Sequence, residues 1–109
     1  MYHYTDNNGL DGILNSQKLN PSLKANNPKD ARYGDGQYFS DILPKSKRNG
    51  QLSHAFLGMP YQGRKFENYI AIDVRGLDIV NGRKGVFVNL SDKPLDISGR
   101  IIGFGKNMQ

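Results

Sequence analysis

The sequence predicts an α+β domain in which sheet outweighs helix, and three observations carry that expectation. Thirteen glycines in 109 residues fall mostly between short β-branched or aromatic runs, the pattern of short strands joined by turns. Apolar residues recur at helical spacing in two short stretches, Leu10, Ile13 and Leu14 in the first and Leu52, Ala55, Phe56 and Met59 in the second. A chain of 109 residues with a hydrophobic fraction of 37% can fill one thin core and carry one site, so a single domain over residues 1–109 is expected.

In chain order, Tyr2-His3-Tyr4-Thr5 is a strand, and Asp6-Asn7-Asn8 supplies side-chain acceptors that cap a short helix ending around Asn15 to Gln17. Lys18 to Ser22 is extended, because the residue before Pro21 is pushed out of the helical region. Lys24 to Tyr33 is a polar loop containing Asn26-Asn27-Pro28, long enough to move. The Gly34-x-Gly36 turn then leads into an aromatic strand whose pleat sends Phe39 to the core and Tyr38 to the opposite side. Pro44 to Gly50 reads as an exposed basic loop, and Gln51 to Met59 as a helix stopped by Gly58 and Pro60. Three strands follow, Tyr69 to Val74, Val86 to Leu90 and Arg100 to Phe104. Gly76, Asn81-Gly82 and Pro94 to Gly99 separate them at lengths normal for antiparallel neighbours.

Fifteen Lys and Arg against ten Asp and Glu give a formal charge of +5, which attracts nucleotides, nucleic acids and other polyanions. The scattered Lys45, Lys47, Arg48, Arg64 and Lys65 read either as a solvated face or as phosphate contacts to an RNA acceptor, with Tyr33 and Tyr61 placed to stack bases. The absence of cysteine excludes disulfides, thiol nucleophiles and thiolate metal sites, and the two distant histidines argue against zinc. His54 reads as a surface or packing histidine. No apolar run approaches the roughly 18 residues of a membrane span. The N-terminus lacks a signal-peptide layout, which suggests an excised or processed domain delivered by machinery elsewhere.

Two motifs point to chemistry. The first is His3 in its aromatic strand, followed by Gly9-Leu10 and Leu19-Asn20-Pro21-Ser22. The second is Gly34-x-Gly36-x-Tyr38-Phe39-x-Asp41, in which glycines allow close backbone approach and the aromatic pair offers a stacking surface. Two further segments follow in order: Ile72-Asp73-Val74-x-Gly76-Leu77 and Pro94-Leu95-Asp96-Ile97-x-x-Arg100-Ile101-Ile102. From Tyr2 to Gly105 the chain resembles the His-Tyr-acid branch of the ADP-ribosyltransferase superfamily, which includes diphtheria-toxin-like toxins and poly-ADP-ribose polymerases. It is most similar to the HYD-signature toxin domains at the C-termini of bacterial polymorphic toxins, Rhs-type proteins among them.

The resemblance implies a small split antiparallel β-sheet core with two short helices, and NAD as co-substrate without a metal. It implies that His3 holds the adenosine-side ribose, with Tyr4 and Thr5 beside it, and that a backbone contact near Tyr4 grips the nicotinamide amide. Tyr38 would stack on the nicotinamide ring, Phe39 and Ser40 would help form its pocket, and Gly34 and Gly36 would let the chain pass close to the cofactor. Loss of nicotinamide leaves an oxocarbenium-like ribosyl centre, so a carboxylate is needed nearby. The resemblance implies a Glu at the start of the penultimate strand, as most relatives carry, whereas the matching stretch here reads Arg83-Lys84-Gly85 before Val86. Asp96 is the first choice for the acid, Asp73 the second and Glu67 the third, while Asp41 reads as ending its strand by bonding the following backbone.

The resemblance further implies transfer of ADP-ribose to RNA or protein, or in the limiting case to water. It also implies a cognate immunity protein, and a domain secreted or injected within a larger effector to act in the target-cell cytoplasm. Two other readings stand beside it. One is an RNA 2′-phosphotransferase, which Ile72-Asp73-Val74 and Gly85-Val86-Phe87-Val88 also resemble, though the expected second histidine near the second motif is missing. The other is a non-catalytic basic module that binds RNA or a partner protein.

Overall fold

The computed structural model describes residues 1–107 apart from Asn27, Lys29, Gly58 and Met59, and at Pro60 and Tyr61 the backbone alone. Strand β1 (Tyr2–Thr5) runs into helix α1 (Asn7–Ser16), whose start is fixed as the sequence suggests. The Asp6 carboxylate accepts the Gly9 N–H at 2.7 Å, and Gln17 closes the helix in the left-handed region at φ 58°. The remaining strands are β2 (Lys18–Leu19), β3 (Gly36–Phe39), β4 (Asn68–Ile72), β5 (Ile79–Arg83), β6 (Val86–Leu90), β7 (Leu95–Asp96) and β8 (Ile101–Lys106). Helix α2 spans Asn49–Leu57, and 3₁₀ turns over Pro60–Phe66 follow it.

Every pairing among these strands is antiparallel. One sheet has the order β1-β4-β8, another β3-β6-β5, and β2 pairs with β7 in a small third one. Among the described residues the two larger sheets meet at one bridge, where Tyr2 and Ser40 exchange backbone bonds of 2.9 and 2.8 Å. The expected α+β class with a split antiparallel sheet is therefore what the chain forms.

Several local expectations are corrected. The three late strands are not sequential neighbours: β4 pairs with β8, whereas β6 lies between β3 and β5 in the other sheet. Asn81-Gly82 is not a connection but part of β5; the hairpin turns at Lys84-Gly85, where Gly85 takes φ 82°. Helix α2 begins earlier, at Asn49, so the basic loop is shorter. It buries Leu52, Ser53 and Leu57, with Phe56 packed alongside and Ala55 half-buried, while Gly58 and Met59 lie outside the described residues. Strands β5 and β7 and the 3₁₀ turns had no counterpart in the sequence pattern. The backbone after β3 is bonded by the hydroxyl of Ser40, which accepts the Ile42 N–H at 2.9 Å, and not by Asp41.

Two apolar clusters hold the sheet. Ile13, Leu19, Phe39, Ile70, Ile72 and Ile97 form the first, against which Leu10 of α1 packs. Leu52, Leu57 and Phe66 form the second, with Tyr4, Ile42 and Phe56 around them. Consecutive β1 residues divide between them, as the pleat requires: the His3 ring sits edge-on to Phe39, and Tyr4 packs on Phe66 at 6.0 Å between centroids.

Candidate active site

A groove opens where the two larger sheets part. After the Tyr2–Ser40 bridge the next ladder bond between β1 and β3 is missing, and the His3 side chain takes its place: Nδ1 lies 2.9 Å from the Tyr38 carbonyl oxygen. A carbonyl can only accept, so Nδ1 carries the proton and Nε2 is left as a lone-pair acceptor. Burial lowers the His3 pKa below its usual 6.5, and the bond to Tyr38 offsets that only in part, so the ring is neutral near pH 7. Met1, His3 and Thr5 direct their peptide groups to β4, so those of Tyr2 and Tyr4 point toward β3. Ser40 takes those of Tyr2; those of Tyr4 emerge into the split.

Tyr38 forms the opposite wall. Its hydroxyl donates to the Gly34 carbonyl at 2.7 Å and accepts the Tyr33 N–H at 2.9 Å, which fixes the ring. Gly34 makes this possible with φ 119°. Burial raises the Tyr38 pKa, so the phenol stays protonated. Phe39 points into the first core cluster, as expected, and also borders the groove.

Tyr2, His3, Tyr4, Tyr38, Phe39 and Val86 line the groove from the sheet side. The other walls come from Ser22, Asp30, Arg32 and Tyr33 of the segment before β3, and from Phe56, Leu57, Lys65 and Phe66. Asp30 and Lys65 join these walls, with both carboxylate oxygens within 3.0 Å of Nζ. Among the residues named from sequence, His3, Tyr4, Tyr38 and Phe39 are thus brought together.

The others stand outside the lining. Thr5 ends β1 beside Asn68, which donates to its carbonyl at 3.5 Å. Ser40 is fully buried, its hydroxyl donating to the Gly85 carbonyl at 2.7 Å. Gly34 and Gly36 shape the turn and the β3–β6 contact. Asp96 lies on β7 opposite Lys18, bonded to the backbone and hydroxyl of Ser98, which hold its pKa below the usual range. Asp73 is clasped by Arg75 at 2.6 Å and held down to about 2. Glu67 borders a separate polar hollow with Asp6, Asn7, Asn8 and Arg64. Among the described residues, the carboxylate in the groove lining is Asp30. Sequence reasoning missed it because it sits in a polar segment with no periodicity; Lys65 was read as one of several scattered loop cations. The side chain of Tyr61 lies outside the described residues.

A family model described as "HYD1 signature containing ADP-ribosyltransferase" (Tox-ART-HYD1) matches residues 1–101. The chain belongs to this ADP-ribosyltransferase toxin family. The match spans both motifs and every strand through β7, so all the groove-lining residues fall within it, while β8 lies beyond it except for Ile101. Comparison with curated proteins and with solved structures gives no match. No group of His, Cys, Asp or Glu among the described residues is arranged to hold a metal ion, and no described helix is long and apolar enough to cross a membrane.

Proposed function

We propose that this ADP-ribosyltransferase domain uses NAD, breaks the bond between nicotinamide and ribose, and passes ADP-ribose to a macromolecule of a target cell. The observation that carries this reading is the His3–Tyr38 bond in the sheet split, which sets an acceptor nitrogen, a fixed aromatic ring and free peptide groups around one groove.

Each group has a part. The His3 Nε2 lone pair accepts a ribose hydroxyl, which a protonated imidazole could not do. The Tyr38 ring stacks on the nicotinamide, and its doubly bonded hydroxyl keeps the ring from turning. The Tyr4 N–H and C=O pair with the nicotinamide amide, a donor and an acceptor against an acceptor and a donor. In the reaction nicotinamide leaves with the bonding electrons, and an acceptor oxygen or nitrogen attacks the ribosyl carbon and gives up its proton. The carboxylate beside that carbon is Asp30, which borders the same groove as His3 and Tyr38, in preference to Asp96, Asp73 or Glu67. The acceptor is RNA or protein, and a cognate immunity protein would block the groove in the producing cell.

Incubation of the chain with NAD labelled in the adenosine half and bacterial lysate, with and without RNase and protease, reads activity and acceptor class together. Nicotinamide release and labelled macromolecule are expected. His3→Ala and Tyr38→Ala should each lower release by about a hundredfold or more while the circular dichroism spectrum is retained. Asp30→Asn should lower it at least about tenfold, whereas Asp96→Asn, Asp73→Asn and Glu67→Gln should leave it within about twofold. Parent-like turnover in both the His3 and Tyr38 variants would remove the assignment.

A further inference from the structure

Among the described residues, the charged side chains that line the groove are Asp30, Arg32 and Lys65; the rest of that lining is mainly aromatic and aliphatic. The Asp30–Lys65 contact crosses from the segment before β3 to the 3₁₀ turns, with Nζ 3.0 and 2.9 Å from the two carboxylate oxygens. At its ends that segment is tied back to its own side of the groove, by the Lys24 N–H to the Asp35 carboxylate and the Tyr33 N–H to the Tyr38 hydroxyl. Between those ties, Asp30–Lys65 is the side-chain bond that reaches across among the described residues.

As a structural clasp this pair is poor. The Lys65 side chain is 43% exposed and that of Asp30 25%, and ion pairs that open to water contribute little to stability. As an exchangeable one it fits the groove. Lys65 offers a compact cation with three donors at a mouth that also presents Arg32, and with Asp30 turned aside these two cations match the two negative charges of a diphosphate.

We propose that Lys65, seconded by Arg32, anchors the diphosphate of the ligand, and that Asp30 is a resident counter-ion which the phosphates displace. The exchange swaps carboxylate oxygens for phosphate oxygens at Nζ and costs the lysine no unpaired interval. It also frees the Asp30 carboxylate inside the groove only once a ligand is seated. The identity of the ligand as a dinucleotide rests on the function proposed above; the anchor itself does not.

The test measures binding of NAD and of inorganic pyrophosphate to the full chain by calorimetry at low salt, for the parent, Lys65→Gln, Lys65→Arg and Asp30→Asn, with nicotinamide release followed in parallel. Lys65→Gln should weaken both ligands about tenfold, the size of one charge-assisted hydrogen bond, and Lys65→Arg should restore most of it. Asp30→Asn should tighten both, by about two- to tenfold, while nicotinamide release falls. A merely structural clasp would make Asp30→Asn and Lys65→Gln weaken binding alike, and that result overturns the proposal. So does pyrophosphate binding that ignores Lys65→Gln, even if NAD is still turned over. Lys65-dependent pyrophosphate binding without any NAD binding would keep the anchor and remove the dinucleotide reading instead. Retained thermal unfolding midpoints in the variants keep the comparison on the folded protein.

Discussion

His3 shows how much a single residue can acquire from its position. The motif around it is contiguous and could be read from the chain, but its tautomer and charge follow from the Tyr38 carbonyl, 35 positions away, and from burial. These have a pH consequence. The folded-state pKa lies below 6.5, so between the two values the unfolded chain binds the extra proton. Stability is therefore full above 6.5 and is lost as pH falls toward the folded value, at no more than about 1.4 kcal/mol per pH unit. Urea unfolding across that range should show this slope, and His3→Gln should flatten it; an unchanged slope would mean the ring is not buried neutral. Affinity for NAD should fall in the same window, because protonation removes the Nε2 lone pair. Tyr38 separates two roles in the same way. Tyr38→Phe keeps the ring but strips partners from the Tyr33 N–H and Gly34 carbonyl, which should cost about 1–3 kcal/mol in chemical unfolding while leaving far more turnover than Tyr38→Ala.

Among the elements, β3 owes its place to a glycine. A Cβ at Gly36 would lie 2.3 Å from the Asn89 carbonyl oxygen on β6, a backbone atom that cannot move aside cheaply. Gly36→Ala should destabilise by about 1–3 kcal/mol or more and disturb the Tyr38 wall with it, measurable as a lower unfolding midpoint together with weaker NAD binding. The glycine was legible as a turn residue, but its close approach to β6 was not, because strand pairing is not written into either strand. Asn107 is a second case. It donates its backbone N–H to Glu67, accepts the Lys45 N–H at 2.7 Å and donates to the Lys47 carbonyl, so it holds the segment before α2 against the end of β8. Asn107→Ala should cost about 1–3 kcal/mol by leaving the Lys45 N–H and the Lys47 carbonyl without their side-chain partner, and amide exchange at Lys45 should quicken. Nothing in the C-terminal sequence announces this role.

Across the whole molecule the groove exists because two apolar clusters meet at β1 from opposite faces. Truncation in the first, as in Ile70→Ala, should cost about 2–5 kcal/mol, and Leu52→Ala a similar amount in the second. The two should differ in function. The Leu52 cluster carries Phe56 and Phe66 of the groove wall, so Leu52→Ala should weaken NAD binding at temperatures where the chain is still folded, a comparison of affinity and unfolding midpoint that would expose any error in this division. By itself the sequence determined the class of fold, the Asp6 cap, the opposed directions of Tyr38 and Phe39 and the order of motifs that marks the family. These are local properties, set by the pleat, by bonds within one turn and by short-range residue patterns. Tertiary structure alone decided that β6 joins β3 instead of β4, that Asp96, Asp73 and Glu67 lie away from the groove, and that Asp30 meets Lys65 across it. Such contacts join residues far apart in the chain, Asp30 and Lys65 by 35 positions, and no local period encodes where two distant segments come to rest.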